Sequence, residues 1–204
     1  MDLVSAMAHL HNEPNISRII QAIEMPSFTP TQKIYFDLLE SIVSQQLNVK
    51  VATVIFNRFL ALFPDNYPHQ ELVASIEFDR LKSVGLSAQK ASYLQNVAQF
   101  AMQHDLENKA WHTMSDDDII QFLSQIKGVG KWTVQMLLMF SLGRPDVFPI
   151  DDLGIQQGMV KIFGLKETGK DLKNKMLECS EPWRPWRTVA CRYVWRWKDT
   201  AGSY

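Results

Sequence analysis

The sequence predicts an all-α protein, and three observations carry that expectation. Apolar residues recur at helical spacing in almost every segment, no stretch alternates apolar and polar residues around hairpin turns, and capping residues recur at segment boundaries. The 204 residues suffice for one sizeable domain or two small lobes around a buried core. The first 27 residues read as one amphipathic helix covering that core. Thr29-Pro30 opens a second helix, with Pro in its first turn and Ile34, Leu38, Leu39, Ile42 and Val43 at helical spacing. Asn48 caps a third, striped by Val51, Val54, Ile55, Phe59 and Leu62, and Pro64 stops it. A short segment from Phe78 to Val84 ends at Gly85, and Ser87 opens a helix carrying Ala91, Leu94, Val97, Ala98 and Ala101. Ser115 and Asp118 form a capping-box pattern ahead of Ile119, Ile120, Phe122 and Leu123. The turn Lys127-Gly128-Val129-Gly130 leads into the apolar run Val134–Leu142, and Pro145 and Pro149 bracket an extended connector. Asp151-Asp152 begins a helix with Ile155, Val160 and Ile162, and Pro185 to Trp197 reads as a last helix dense in Trp and Arg. Leu81-Lys82-Ser83-Val84-Gly85 echoes Ile126-Lys127-Gly128-Val129-Gly130, which would make two similar helical corners; chance accounts for the echo equally well.

Composition narrows the function. With 46% hydrophobic and 21% charged residues, the chain is no disordered polyelectrolyte. The two cysteines, Cys179 and Cys191, exclude a disulfide scaffold, a four-cysteine zinc site and a cysteine-ligated iron–sulfur cluster. His9, His11, His69, His104 and His112 show no metal-binding spacing on a shared helix face. No apolar run nears the roughly 18 residues that span a bilayer, and the N-terminus lacks an export pattern. A soluble intracellular protein is expected, cytoplasmic or nucleoid-associated, or nuclear in a eukaryote. The net charge of −1 hides an asymmetry: residues 1–123 hold 8 basic and 14 acidic side chains, a balance of −6, and residues 124–204 hold 13 and 8, a balance of +5. Such a division suits an anionic partner for the basic half, or an unevenly charged solvated surface. It is too weak for a protein that coats DNA by charge alone.

Two segments carry chemistry. In Leu123-Ser124-Gln125-Ile126-Lys127-Gly128-Val129-Gly130-Lys131-Trp132-Thr133, two glycines flank one apolar residue between helices. Such a turn aims the free N–H groups of the second helix outward, an arrangement suited to a phosphate; an ordinary tight corner needs the same residues. In Phe148-Pro149-Ile150-Asp151-Asp152-Leu153, the second aspartate follows Trp132 by 20 residues. One aspartate, by preference the first, would serve as a helix N-cap. A second carboxylate facing a cleft would stabilise a developing cation or activate water.

Together these segments resemble the helix–hairpin–helix base-excision glycosylase superfamily, and within it the DNA-3-methyladenine glycosylase II type. Ser41-Ile42-Val43-Ser44-Gln45-Gln46-Leu47 and Trp183-Arg184-Pro185-Trp186-Arg187 support the resemblance, which covers roughly residues 30–198. It implies a short form without an N-terminal β-rich domain, forming two helical lobes. Lobe one would span roughly residues 30–115, the hairpin and catalytic region 115–165, and the terminal segments would complete lobe two. DNA would lie across the cleft between lobes.

The resemblance also assigns residues. Asp152 matches the catalytic aspartate and Asp151 its structural neighbour. Main-chain carbonyls of Ser124, Ile126 and Val129 match ligands of a monovalent cation, Na+ or K+; no other cofactor is required. Gly128, Val129, Gly130, Lys131 and Thr133 would contact one DNA strand, and Gln46 matches the residue that enters the base stack. Trp132 and Trp195 match pocket tryptophans, although a Trp stripe read without the resemblance is core first, and Trp183 and Trp186 stay with the core. Trp132 stands where bifunctional relatives carry a Schiff-base lysine, which implies a glycosylase without lyase activity. Met136 and Leu153 replace aromatics at the matching pocket positions, so a less aromatic pocket is expected. The implied activity is excision of alkylated purines, of the 3-methyladenine and 7-methylguanine type, from double-stranded DNA by a monomer. A non-catalytic helix–hairpin–helix DNA-binding protein and an all-α interaction module are the competing readings.

Overall fold

The structure, a computed structural model, describes residues 2–201. Twelve helices run in chain order among them: α1 (Leu3–Leu10), α2 (Pro14–Ala22), α3 (Ile34–Ser44), α4 (Val49–Leu60), α5 (Gln70–Ser75), α6 (Phe78–Ser83), α7 (Ala88–His104), α8 (Asp116–Leu123), α9 (Lys131–Met136), α10 (Leu153–Phe163), α11 (Gly169–Ser180) and α12 (Arg187–Ala201). Short 3-10 turns, one π-helical stretch, Leu137–Ser141, and irregular connections make up the rest of the described residues, which contain no strand. The all-α expectation holds.

The chain divides into two compact units, Thr31–Leu137 and, in the other, the residues up to Pro30 with those from Leu138 onward. The hairpin after α8 therefore belongs with α3 and α7, whereas the helix begun by Asp152 belongs with α12.

In the unit Thr31–Leu137, α3 buries Ile34, Tyr35, Leu38, Leu39, Ile42 and Val43. It packs on α7, whose Ala91, Ala98 and Ala101 let the backbones approach while Leu94 and Val97 fill between them. Ser87 caps α7 by accepting from the Lys90 amide at 3.2 Å, and Ser115 caps α8 by accepting from the Asp118 amide at 3.1 Å, both as the sequence indicates. α4 buries Ala52, Phe56 and Phe59, whereas Val51 and Val54 of the expected stripe stay 42% and 48% exposed. The rings decide its rotation: Phe56 packs edge-on against Phe36 at 5.3 Å, and Phe59 against Phe63 at 5.2 Å.

In the other unit, α10 and α12 cross closely at Gly158, where an added Cβ would lie 2.4 Å from Val194 Cγ1. Thr188 on α12 ties down the Pro145–Pro149 connector, donating to the Arg144 carbonyl at 2.7 Å and accepting from the Val147 amide at 3.0 Å. Asp146 accepts from Arg184 at 2.6 Å and from Arg187 at 2.5 Å. These bonds fix the stretch that delivers Asp152.

Several expected elements are corrected. The first 27 residues form two helices, because Pro14 starts α2 afresh with Glu13 as its N-cap. Thr29-Pro30 opens no helix; α3 begins at Ile34, and the Thr31 hydroxyl ahead of it is bonded to Asp37. α4 ends at Leu60, ahead of Pro64, which starts a 3-10 turn. The last helix starts at Arg187, two residues later than expected. Trp183 is fully buried as expected, but Trp186 is only half-buried.

Candidate nucleic-acid interface and active site

The hairpin between α8 and α9 is held by its neighbours. Gly128 adopts φ 104, and a Cβ there would fall 2.2 Å from Cγ of the Tyr93 ring on α7. Only glycine meets both demands. Ile126 and Val129 are buried at 3% and 4% exposure, which anchors the turn by its apolar residues. Asn96 donates to the Lys127 carbonyl at 3.2 Å and Gln45 to the Gly128 carbonyl at 3.3 Å. Gly130 is the N-cap of α9, and nothing lies within 4 Å of where its Cβ would be. The first amides of α9 thus begin beside open space. Lys131 is exposed and Trp132 is 42% exposed. Thr133 is buried, at 3% exposure, so a strand contact there would use its main chain.

The same unit holds the Gln46 turn. Gln46 is exposed at φ 58, between the end of α3 and Asn48, whose side chain caps α4 by accepting from the Val51 amide at 3.0 Å. The Lys90 ammonium reaches back from α7 to the carbonyls of Val43 and Gln45, at 2.7 and 2.8 Å. Burial holds that ammonium below the usual lysine range. Met136, the matching pocket position on α9, is half-buried.

The acidic site is built within the other unit. Asp152, not Asp151, is the N-cap of α10: its Oδ1 accepts from the Ile155 amide at 2.8 Å. The same oxygen accepts from the Trp195 indole Nε1 at 2.8 Å. Pro149 is part of the reason that the second aspartate takes the cap, since its carbonyl accepts the Asp152 amide at 2.9 Å and closes a turn around Ile150 and Asp151. Asp151 points elsewhere, into an ion pair with Lys173 at 2.5 Å. The two donors on one oxygen fix the orientation of the Asp152 carboxylate. Leu153 beside it is 66% exposed.

Trp195 is only half-buried and is not part of a sealed core. Phe140, from the π-helical stretch, packs against it at 6.0 Å, and Phe28 meets Phe140 edge-on at 5.7 Å. Trp195 therefore stands in an aromatic cluster with Phe140 and Phe28. Gly154 makes the closest approach possible: a Cβ there would lie 2.9 Å from Trp195 Cδ1 and 3.0 Å from Asp152 Oδ1. Gly154, Phe140, Gln45 and Lys90 were not legible as site residues. For Gly154 a signal existed, since Gly154 and Gly158 stand four apart on one helix face and mark a close neighbour.

One unit thus holds a glycine hairpin and the other an aspartate cap bonded to an indole. The family model described as HhH-GPD superfamily base excision DNA repair protein matches residues 39–185, and the chain belongs to that superfamily. It is 33% identical over 202 residues to DNA-3-methyladenine glycosylase 1 of Schizosaccharomyces pombe, covering 95% of this chain and 87% of that one. It is 34% identical over 169 residues to the protein YfjP of Bacillus subtilis, spanning 80% of this chain but 58% of that relative. Among solved structures, the S. pombe 3-methyladenine DNA glycosylase Mag1 in complex with abasic DNA aligns with a TM-score of 0.84 at 33% identity, over 96% of this chain and 97% of that chain.

Proposed function

We propose that this chain is a monofunctional DNA glycosylase that excises alkylated purines from double-stranded DNA and leaves an abasic site. The observation that carries the reading is the Asp152 carboxylate, fixed at the start of α10 by the Ile155 amide and the Trp195 indole N–H. The S. pombe DNA-3-methyladenine glycosylase 1 sequence and the solved S. pombe Mag1 structure in complex with abasic DNA support the substrate class.

The chemistry follows from the lesion. Alkylation at N3 or N7 gives the base a positive charge, so it departs neutral and is a good leaving group. Extrusion from the duplex costs a few kcal/mol and is cheapest for a damaged pair. The exposed indole of Trp132 and the half-buried indole of Trp195 offer faces that attract such a cation by about 0.5–2 kcal/mol. As the glycosidic bond breaks, the sugar takes on oxocarbenium character. The Asp152 carboxylate stabilises that charge and orients the attacking water. Trp132 carries no amine, so no Schiff base forms and the strand is not cut. Gln46 fills the stack left by the extruded nucleotide. The amides of Gly128, Gly130 and Lys131, with the main chain of Val129 and Thr133, grip the strand.

The family resemblance implies a monovalent cation, Na+ or K+, held by the main-chain carbonyls of Ser124, Ile126 and Val129; the neighbouring Lys127 and Gly128 carbonyls are engaged by the side-chain amides of Asn96 and Gln45. Ile126 O already accepts from the Val129 amide at 3.0 Å, which leaves its second lone pair for the ion. The protein is proposed to act as a monomer.

The test incubates the protein with methylated duplex DNA and measures free 3-methyladenine and 7-methylguanine alongside strand breaks. Base release with breaks appearing only after alkali is expected; binding without release refutes the enzyme. Replacing potassium with a bulky organic cation at equal ionic strength should weaken DNA binding by about tenfold, the loss of one charge-assisted phosphate contact. Unchanged affinity removes the cation from the account.

A further inference from the structure

Gln46 is held at φ 58, a conformation disfavoured for any residue with a Cβ, at the tip of an exposed turn. Two side chains brace that turn. Lys90 lies in the first turn of α7, where a cation is unfavourable beside the positive end of its own helix. Its ammonium instead spans the carbonyls of Val43 and Gln45 at 2.7 and 2.8 Å, at the negative end of α3. Gln45 then donates to the Gly128 carbonyl at 3.3 Å, on the one hairpin glycine that Tyr93 locks in place. All of these residues lie within the unit Thr31–Leu137.

We infer that Lys90 and Gln45 are positioning residues for base extrusion: they join the Gln46 turn to the hairpin, so the side chain that enters the stack keeps a fixed register to the strand the hairpin holds. The inference rests on the roles proposed above for Gln46 and the hairpin. Neither residue needs to touch the reacting atoms.

The experiment compares single-turnover base release from two duplexes. In one the alkylated base is paired; in the other it lies opposite an abasic gap, where extrusion costs less. Gln45→Ala and Lys90→Met are expected to slow release from the paired duplex by roughly tenfold, as for loss of a hydrogen bond at a charged or strained site. On the gapped duplex the loss should shrink to about twofold. Lys90→Arg, which retains a cation able to bridge two carbonyls, should restore most of the rate. Adding Gln45→Ala to Gln46→Ala should cost nothing more, since both remove one device. If Gln46→Ala slows the paired duplex selectively and Gln45→Ala and Lys90→Met do not, the positioning role is overturned and the role of Gln46 stands. If Gln46→Ala itself spares the paired duplex, the stack-filling role fails and takes the positioning role with it. Equal losses on both duplexes mark a fold defect and also overturn the inference.

Discussion

Asp152→Asn is expected to slow base excision by about a hundredfold or more, the scale on which removing one preorganised electrostatic partner acts. The substitution is unusually clean here. Asparagine is as good an N-cap as aspartate, and its side-chain oxygen still accepts from the Ile155 amide and from Trp195 Nε1, which both bond Oδ1 in the native protein. Only the negative charge is lost. Affinity for methylated duplex should therefore remain within about threefold, because the strand contacts proposed above lie on the hairpin and not on α10. Asp152→Ala serves as the contrast. It also loses the cap, at about 1 kcal/mol of stability, which a thermal melt would separate from the catalytic loss. Trp195→Phe keeps the ring and removes the donor to Asp152, so it should lower the rate by less than Asp152→Asn. Full activity in Asp152→Asn would remove this carboxylate from the mechanism.

Gly128→Ala is expected to cost roughly 2 kcal/mol of stability or more, from the left-handed backbone and from displacement of a packed ring. The Cβ would sit 2.2 Å from Tyr93 Cγ at a position whose φ is 104, so neither the chain nor the ring has an easy retreat. A shifted hairpin would also misplace the first amides of α9, and duplex affinity should fall with a shallower dependence on salt. Gly130→Ala is the comparison, since φ there is −95 and nothing lies within 4 Å of the added methyl. Its melting temperature should stay close to that of the native protein. If Gly128→Ala melts and binds as the native protein does, the hairpin is not held as described.

The two predictions differ in how readily the sequence announces them. Gly128 is visible as one of two glycines flanking a small apolar residue between helical segments, a pattern with few other uses. The clash that enforces it is not visible, because Tyr93 lies 35 positions away on another helix. Asp152 is visible only as one of a pair. Sequence preference favours the first aspartate as the cap, and the structure gives that role to the second, because the Pro149 carbonyl takes the Asp152 amide and turns Asp151 toward Lys173. A capping role does not compete with the catalytic role proposed for this position: the amide that caps through Asp152 also fixes the carboxylate.

The face of α4 shows the same limit from another side. Helical spacing supports the stripe Val51, Val54, Ile55, Phe59 and Leu62 as well as it supports Ala52, Phe56 and Phe59. Spacing counts apolar residues on a face, whereas burial follows the largest side chains that find partners, and Phe36 and Phe63 were waiting for the phenylalanines. At the N-terminus the apolar pattern continues across a break that Pro14 imposes, so periodicity alone reads two helices as one.

By itself the sequence determined that the chain is helical, where α4, α6, α7, α8 and α10 begin, and that a glycine hairpin precedes a paired-aspartate helix start. Those features depend on neighbours three or four positions away, through capping bonds and the 3.6-residue repeat. Only the tertiary structure decided which aspartate meets Trp195, that Gly154 must be bare to let that indole close, that Phe140 stands beside it, and that Lys90 and Gln45 brace the Gln46 turn. Each of those contacts joins residues from 41 to 83 positions apart, and a pairing at that range is fixed by how helices pack, not by any pattern the chain displays along its length.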